Sequence, residues 1–233
     1  MVSYQYTYLI IVSILVVIWV ILFLWRKDIR KEMLTISSIF GIAGPLSAYI
    51  YIQDWWKPLT ITRTPIGIED FLFGFVIGGI AAIIYSLLFN KKIKTIKVKK
   101  IKTQKRNINF LILLVLLAAI FLLSFFVLKL NTFISTILAF IIPTLIIYIK
   151  RKDLVKDSLL SGISTLAIAI IIYYILNLII PGFFDEFWLF QNIGRVMILG
   201  IPLEEHVWFF LAGAFIGPLY EYWKEGKLIN IKN

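Results

Sequence analysis

The sequence contains no cysteine and a single histidine, His206, among its 233 residues. Disulfides and thiolate metal sites are therefore excluded, and one histidine cannot supply a His-rich zinc or iron site within one chain. Charged residues are also scarce, at 16%, whereas hydrophobic residues reach 61% and the mean hydropathy is +0.93. Because a soluble domain rarely exceeds about half apolar residues, this composition predicts a protein whose solvent is lipid.

Several binding motifs are missing as well. There is no GxGxxG segment for a dinucleotide and no GxxxxGK[ST] segment for a nucleoside triphosphate. Residues 153–157 (DLVKD) have DxxxD spacing, but no aspartate-rich cluster for magnesium diphosphate surrounds them. We therefore expect no cofactor, no metal and no prenyltransferase activity. The net charge of +11 comes from lysines and arginines concentrated between apolar runs, which leaves no folded basic domain for a nucleic acid.

Long apolar runs dominate what is present. A helix needs about 20 residues to cross a hydrocarbon core of roughly 30 Å. Runs of this kind lie near residues 7–25, 33–52, 66–89, 108–128, 132–149 and 158–180. A seventh, near 197–223, is interrupted by Glu204, Glu205 and His206. We predict an all-α, polytopic membrane protein of about seven transmembrane helices.

The basic residues predict an orientation. They follow the first, third and fifth apolar runs, at residues 26–31, at nine positions within residues 91–106 and at residues 150–152. Because cytoplasmic loops are enriched in lysine and arginine, we expect the N-terminus outside and the C-terminus in the cytoplasm. The expected location is the plasma membrane, with residues 91–106 as a cytoplasmic loop beside anionic lipid headgroups.

The chain also repeats itself. Residues 26–32 (RKDIRKE) resemble residues 151–157 (RKDLVKD) at an offset of 125, and residues 68–73 align with 203–208 at an offset of 135. We predict a first three-helix repeat at 1–90, a basic loop and linker helix at 91–130, and a second repeat at 131–233. A single linking crossing makes the two repeats parallel, which puts their acidic motifs at the same depth.

The acidic motifs are the centre of the functional argument. Glu69 and Asp70 begin one apolar helix, and Glu204 and Glu205 begin another. A carboxylate beside lipid costs several kcal/mol, so such residues usually face a protein interior and serve a function. The alternative is that they only complement the dipole at a helix N-terminus. Adjacent carboxyl groups in a dry site favour one retained proton, which would suit a Brønsted acid.

Aromatic side chains accompany these acids. Phe73, Trp208 and Phe209 are candidate substrate-binding residues, because aromatic faces stabilise a developing carbocation. Helix packing or an interfacial belt is the alternative for each ring. Residues 54–56 (DWW) and 184–188 (FDEFW), which precede the two motifs, are most simply interpreted as segments at the lipid interface. His206 is a further candidate, and it could equally be a structural residue. Arg63 and Arg195 precede the two motifs and could pair with their carboxylates or remain solvated.

Residues 202–210 (PLEEHVWFF), preceded by residues 192–195 (NIGR), resemble the proline-and-glutamate motif of the membrane-integral lycopene cyclases. Residues 54–56 (DWW) and 67–73 (GIEDFLF) are a degenerate counterpart in the first half. The resemblance covers nearly the whole chain, as in the fused form of these two-subunit enzymes. Gly67 and Asp70 depart from the proline and second glutamate of the family, and His206 replaces an apolar residue.

The resemblance implies a cofactor-independent isomerase of carotenoid biosynthesis that cyclises the ψ-ends of lycopene to β-rings. Glu204 or Glu205 would be the acid, with Glu69 and Asp70 completing the site. Its partners would be lycopene or a related acyclic carotenoid, membrane lipids and other enzymes of the pathway, with the oligomeric state open. A small-solute transporter with a similar helix layout and a carotenoid hydratase are the alternatives.

Overall fold

The computed structural model describes residues 4–94 and 100–230, with the side chains of the second stretch described from residue 104 onward. Helices make up most of it. In chain order they are α1 (Thr7–Trp25), α2 (Arg30–Tyr51), α3 (Ile68–Leu88), α4 (Lys100–Leu122), α5 (Thr132–Lys150), α6 (Val155–Ile179), α7 (Phe183–Phe187), α8 (Leu203–Ile216) and α9 (Leu219–Lys224). Within the described ranges, helices α1 to α6 are long and apolar enough to span a bilayer. The chain is therefore a helical membrane protein.

Short elements connect these helices. Single 3₁₀ turns at Tyr4–Tyr6, Lys27–Ile29 and Lys152–Leu154 precede α1, α2 and α6, and a π-helical turn at Leu123–Val127 follows α4. Strand β1 (Lys91–Lys94) pairs antiparallel with β4 (Lys227–Asn230), and β2 (Met197–Ile198) pairs with β3 (Ile201–Pro202). Strands β1 and β4 join the end of the first half to the end of the second.

Glycines allow α2 and α3 to approach closely. A Cβ atom on Gly44 would lie 2.2 Å from the carbonyl oxygen of Asp70, and one on Gly74 would lie 2.2 Å from that of Phe40. Neither space admits a side chain. The acidic start of α3 is therefore held against the middle of α2 by backbone-to-backbone packing.

Helices α6 and α8 form the corresponding tight pair in the second half. A Cβ atom on Gly162 would lie 2.7 Å from the Phe210 carbonyl oxygen, and one on Gly213 would lie 2.8 Å from that of Ser161. Close packing of small residues is a common source of helix association within lipid. It fixes α8, whose first turn carries Glu204 and Glu205, against α6.

Two arginines make matching contacts at the basic ends of the halves. Arg26 pairs with Asp28 and donates to the backbone carbonyls of Ser86 and Lys91. Its counterpart at an offset of 125, Arg151, pairs with Asp153 and donates to the carbonyls of Glu221 and Gly226. The four carbonyl positions are themselves related by the offset of 135 found in the sequence. The same set of arginine contacts therefore occurs in each half, at the end that is predicted to face the cytoplasm.

Hydrogen bonds and ring stacking also connect the two halves at the opposite end of the helices. Asp54, in the loop after α2, accepts hydrogen bonds from the backbone N–H of Thr132, at 3.0 Å, and from its hydroxyl group. Trp56 forms an antiparallel bridge with Trp188, and their rings stack with centroids 5.6 Å apart. Residues expected to lie only at the lipid interface thus connect the two halves of the protein.

Two parts of the chain differ from the prediction. The expected run at 197–223 is not one helix, because the β2–β3 hairpin occupies its start and Gly217 and Pro218 separate α8 from α9. Proline lacks a backbone N–H and breaks helices, which explains the division. The expected loop at 91–106 contains β1 and the beginning of α4, and its centre, at 95–99, lies outside the described residues.

Candidate functional site

A cavity of about 450 Å³ lies between the two halves of the protein. Its walls come from α2, α3, α5 and α8, with α4 closing one side, and they are predominantly apolar. Two carboxylic acids line it, Asp70 from α3 and Glu205 from α8. An apolar chamber with a small number of convergent polar groups is the usual form of a site for an apolar small molecule.

Asp70 lies in the first turn of α3 and is 4% exposed. Its Oδ1 atom accepts a hydrogen bond of 3.0 Å from the Tyr8 hydroxyl group, and its Oδ2 atom accepts one of 2.8 Å from the backbone N–H of Gly67. The second bond caps the helix, because it satisfies a backbone donor at the helix start. Both carboxyl oxygens of Asp70 are therefore held by fixed donors.

Glu205 lies in the first turn of α8 and is 5% exposed. Its Oε1 atom accepts a hydrogen bond of 3.0 Å from the indole nitrogen of Trp188. The Tyr173 ring packs against Trp188, with centroids 6.3 Å apart, and its hydroxyl group lies near the same carboxyl group. Glu205 thus has a less polar setting than Asp70.

The other two candidate acids lie outside the cavity. The Oε1 atom of Glu69 accepts a hydrogen bond of 2.6 Å from the backbone N–H of Ile61, so this side chain holds the loop before α3. Glu204 is directed at the segment before β2, where its Oε1 atom would lie 3.9 Å from a Cβ atom on Gly194. In each acidic pair, the second residue faces the cavity and the first faces a loop.

Of the four candidate substrate-binding residues, two line the cavity and two lie outside it. Phe73 and Trp208 line the cavity, with ring centroids 5.8 Å apart. Phe209 packs behind Phe73 at 6.2 Å, outside the lining. His206 also lies outside it, and its Nδ1 atom is 3.0 Å from the carbonyl oxygen of Pro202.

Neither candidate arginine reaches an acid of the motifs. Arg195 pairs with Asp185, and Arg63 donates to the side chain of Gln5 at 3.3 Å. The sequence could not decide between pairing with the motif and a position away from it. The structure places both arginines in contacts on the surrounding loops.

Other lining residues were not identified from the sequence. Tyr8, Trp55 and Trp56 line the cavity, and Trp188 holds one of its acids. The adjacent tryptophans were interpreted as an interfacial belt, and Tyr8 gave no signal within the first apolar run. A tyrosine at the start of a long apolar run is the feature that could have indicated it.

The cavity extends to the lipid-facing surface. Leu46 of α2 and Leu122 of α4 line it, and they are 68% and 43% exposed. On α3 the lining runs from Asp70 to Gly78, a rise of about 12 Å at 1.5 Å per residue. An elongated apolar molecule could enter from the bilayer between α2 and α4 and place one end beside the acids.

The fold and this cavity define a membrane protein that holds two buried carboxylic acids in an apolar chamber open to lipid. Residues 129–223 match the family model described as Lycopene cyclase, which confirms the resemblance on the second half of the chain. This match supports a carotenoid cyclase function with a carotenoid substrate. No curated protein and no solved structure matches the chain.

Proposed function

We propose that this protein is a cofactor-independent lycopene cyclase that converts the ψ-ends of lycopene to β-rings by acid catalysis. The observation that carries the proposal is the single cavity to which each half contributes one buried carboxyl group, Asp70 and Glu205. Its apolar walls suit a polyene and not the hydrophilic solute of the transporter alternative. An opening toward lipid suits a substrate dissolved in the bilayer.

The reaction requires an acid and a base but no redox partner. A carboxylic acid transfers its proton to the terminal double bond, which leaves a tertiary carbocation. A neighbouring double bond attacks this cation, and the new carbon–carbon bond closes the ring. A carboxylate then removes a proton next to the resulting cation, which restores a double bond. The product is an isomer of the substrate, and one proton returns to the acid before the next turnover.

The hydrogen bonds suggest how the two acids divide these roles. Asp70 has two fixed donors, the Tyr8 hydroxyl and the Gly67 N–H, and hydrogen bonds of this kind favour the ionised form of a carboxyl group. Glu205 accepts from the Trp188 indole and has the Tyr173 hydroxyl nearby, but no backbone N–H in the described structure donates to it, and its burial favours the neutral form. We therefore assign Glu205 as the acid and Asp70 as the base. Glu69 holds the loop before α3, and Glu204, which faces the segment before β2, takes no part in the proton transfers.

Aromatic faces are available for the carbocation. Phe73, Trp208 and Trp56 line the cavity, and their rings form one packed group with Tyr8. A cation over such a ring gains about 2 kcal/mol when water is excluded. These rings also keep water away, which would favour ring closure over the hydration catalysed by a carotenoid hydratase.

The same proposal includes the arrangement of the halves. Two parallel three-helix repeats linked by α4 would explain the matching contacts of Arg26 and Arg151 and the antiparallel pairs formed at both ends of the molecule. The N-terminus would lie outside the plasma membrane and the C-terminus in the cytoplasm. Both acids would then serve one shared site. Because the second end of a C40 polyene lies far from it, lycopene would leave and re-enter to cyclise twice.

The test is expression in a bacterial host that accumulates lycopene, with pigments separated by chromatography over time. We expect a singly cyclised carotene to appear before the doubly cyclised one. The double variant Asp70→Asn/Glu205→Gln is the control and should leave lycopene unchanged while inserting normally into the membrane. Unchanged lycopene with the intact, inserted chain would contradict the proposal, and hydroxylated acyclic products would indicate a hydratase. The absence of a singly cyclised intermediate would contradict the shared site.

A further inference from the structure

A second cavity lies at the opposite end of the helices from the acidic motifs. Its volume is about 760 Å³, and its walls come from the ends of α3 and α5, the beginnings of α4 and α6, and the segment around β4. The lining is much more polar than that of the first cavity. The cyclisation mechanism does not use this cavity.

Positive charge is in excess around it. Two acidic residues line the cavity, Asp153 and Glu225, against five basic ones: Lys91, Arg106, Lys150, Arg151 and Lys227. Both carboxyl oxygens of Asp153 are already bound by Arg151. The lining therefore carries a formal excess of three positive charges, which an anion would offset.

The contacts of the cations agree with this excess. One guanidinium nitrogen of Arg106 donates to the carbonyl oxygen of Lys224, while its Nε atom is buried and finds no hydrogen-bond partner among the described residues. Burial, together with the positive charges of Arg106 and Lys31, lowers the pKa of Lys224 to about 8. Within the lining, cations thus outnumber carboxylates, while three further carboxyl groups at this end, those of Glu32, Asp157 and Glu221, are buried outside it.

The cavity also lies at the level of a lipid headgroup. The apolar span that contains α4 begins at Gln104, and the one formed by α5 ends at Lys150. Arg106 and Lys150 therefore mark the boundary between the hydrocarbon core and the polar region. From there α4 presents the exposed side chains of Ile108 and Leu111, against which an acyl chain could pack.

From this geometry we propose that the basic cavity binds the phosphate group of an anionic membrane lipid. The cationic lining would receive the phosphate, and the lipid-facing side of α4 would receive an acyl chain. Basic pockets between helices on the cytoplasmic side commonly bind such headgroups. A soluble phosphate would use the same cations but gain nothing from the apolar surface beside them. The proposal does not depend on the cyclase activity.

The test measures binding of a fluorescent phosphatidylglycerol to the full chain in neutral-detergent micelles. We expect unlabelled phosphatidylglycerol to displace it at least tenfold more effectively than phosphatidylcholine does. Inorganic phosphate at millimolar concentration should not displace it. Displacement by inorganic phosphate at this concentration would identify a site for a soluble phosphate and overturn the lipid assignment.

A pair of variants tests the location. Lys150 and Lys227 are both exposed, so the double variant Lys150→Gln/Lys227→Gln should fold, which its thermal unfolding in lipid-free detergent would verify. A lysine near the membrane surface contributes about fivefold to the affinity for an anionic lipid. We therefore expect phosphatidylglycerol to bind this double variant at least tenfold more weakly than the unaltered chain. The control Lys57→Gln/Lys129→Gln removes the same charge at the other end of the helices and should change binding less than twofold. Equal losses in both variants would show that net charge, and not this cavity, attracts the lipid.

Discussion

The two acidic pairs begin α3 and α8 at corresponding positions, yet their cavity-facing members are held in different ways. Asp70 is fixed by a tyrosine hydroxyl and by the backbone at the helix start. Glu205 is one methylene longer and accepts from the Trp188 indole N–H, with the Tyr173 hydroxyl nearby and no backbone donor in the described structure. One carboxyl group is therefore part of the helix cap, whereas the other extends from its helix toward the cavity. The two acids thus occupy corresponding helix positions but have different surroundings.

The stacked tryptophans show the same divergence. Trp188 donates to Glu205, but the indole nitrogen of its stacking partner Trp56 is buried and has no hydrogen-bond partner in the described part of the chain. Tyr8 of α1 supplies the donor to Asp70 instead. The contacts of Arg26 and Arg151 match, whereas the donors to Asp70 and to Glu205 differ.

The largest expected effect separates the two members of the second pair. Because Glu205 faces the cavity as the proposed proton donor, Glu205→Gln should reduce the rate of cyclisation at least 100-fold, the usual loss when a general acid is removed. Glu204→Gln should retain activity within about threefold, since its carboxyl group faces a loop. The measurement is the initial rate of ring formation in membranes containing equal amounts of each variant. If Glu204→Gln caused the greater loss, the assignment of the acid would be wrong.

The next experiment asks whether Asp70 is the base. Asp70→Asn should slow product formation about 10- to 100-fold, while the matched variant Glu69→Gln should have a smaller effect, because an amide oxygen can still accept from Ile61. The informative readout is lycopene recovered from D₂O. If Asp70 acts after protonation, Asp70→Asn should return deuterated lycopene, because the cation forms and reverts to substrate.

Glu205→Gln provides the contrast for that experiment, since without the acid the cation does not form. Its recovered lycopene should contain no deuterium. Unlabelled lycopene from Asp70→Asn would contradict the division of roles, and labelled lycopene from Glu205→Gln would show that another group supplies the proton.

Much of the helical architecture could be predicted from hydropathy. The run near 66–89 corresponds to α3 (Ile68–Leu88), and the run near 132–149 corresponds to α5 (Thr132–Lys150). These boundaries were predictable because bilayer thickness fixes the length of an apolar span. The run at 197–223 was not predicted well, since hydropathy does not register a hairpin in which Leu199 and Gly200 adopt positive φ angles.

The site was predictable only to the level of its motifs. Adjacent acids on a helix point in directions about 100° apart, so the sequence could identify Glu204 and Glu205 without deciding which one faces the cavity. The side chains that donate hydrogen bonds to these acids were harder to predict. Tyr8 is 62 positions from Asp70, and no local pattern connects residues that meet only when α1 packs beside α3.

The smallest expected effects come from removing the two side-chain donors, Tyr8 and Trp188, that hold the acids. Tyr8→Phe removes a hydrogen bond to a carboxylate, worth about 1.5–3 kcal/mol, and should slow cyclisation roughly tenfold because Asp70 is no longer held in position for proton removal. Trp188→Phe removes a bond to a neutral carboxylic acid, worth about 0.5–1.5 kcal/mol, and should slow it about threefold. Trp55→Phe is the control for loss of an indole ring, because the Trp55 N–H has no partner to lose in the described structure and the ring has no assigned role in the reaction. Initial rates in matched membranes would rank the three variants. A larger loss for Trp188→Phe than for Tyr8→Phe would mean that Glu205 is the ionised partner, and it would exchange the roles of acid and base between the halves.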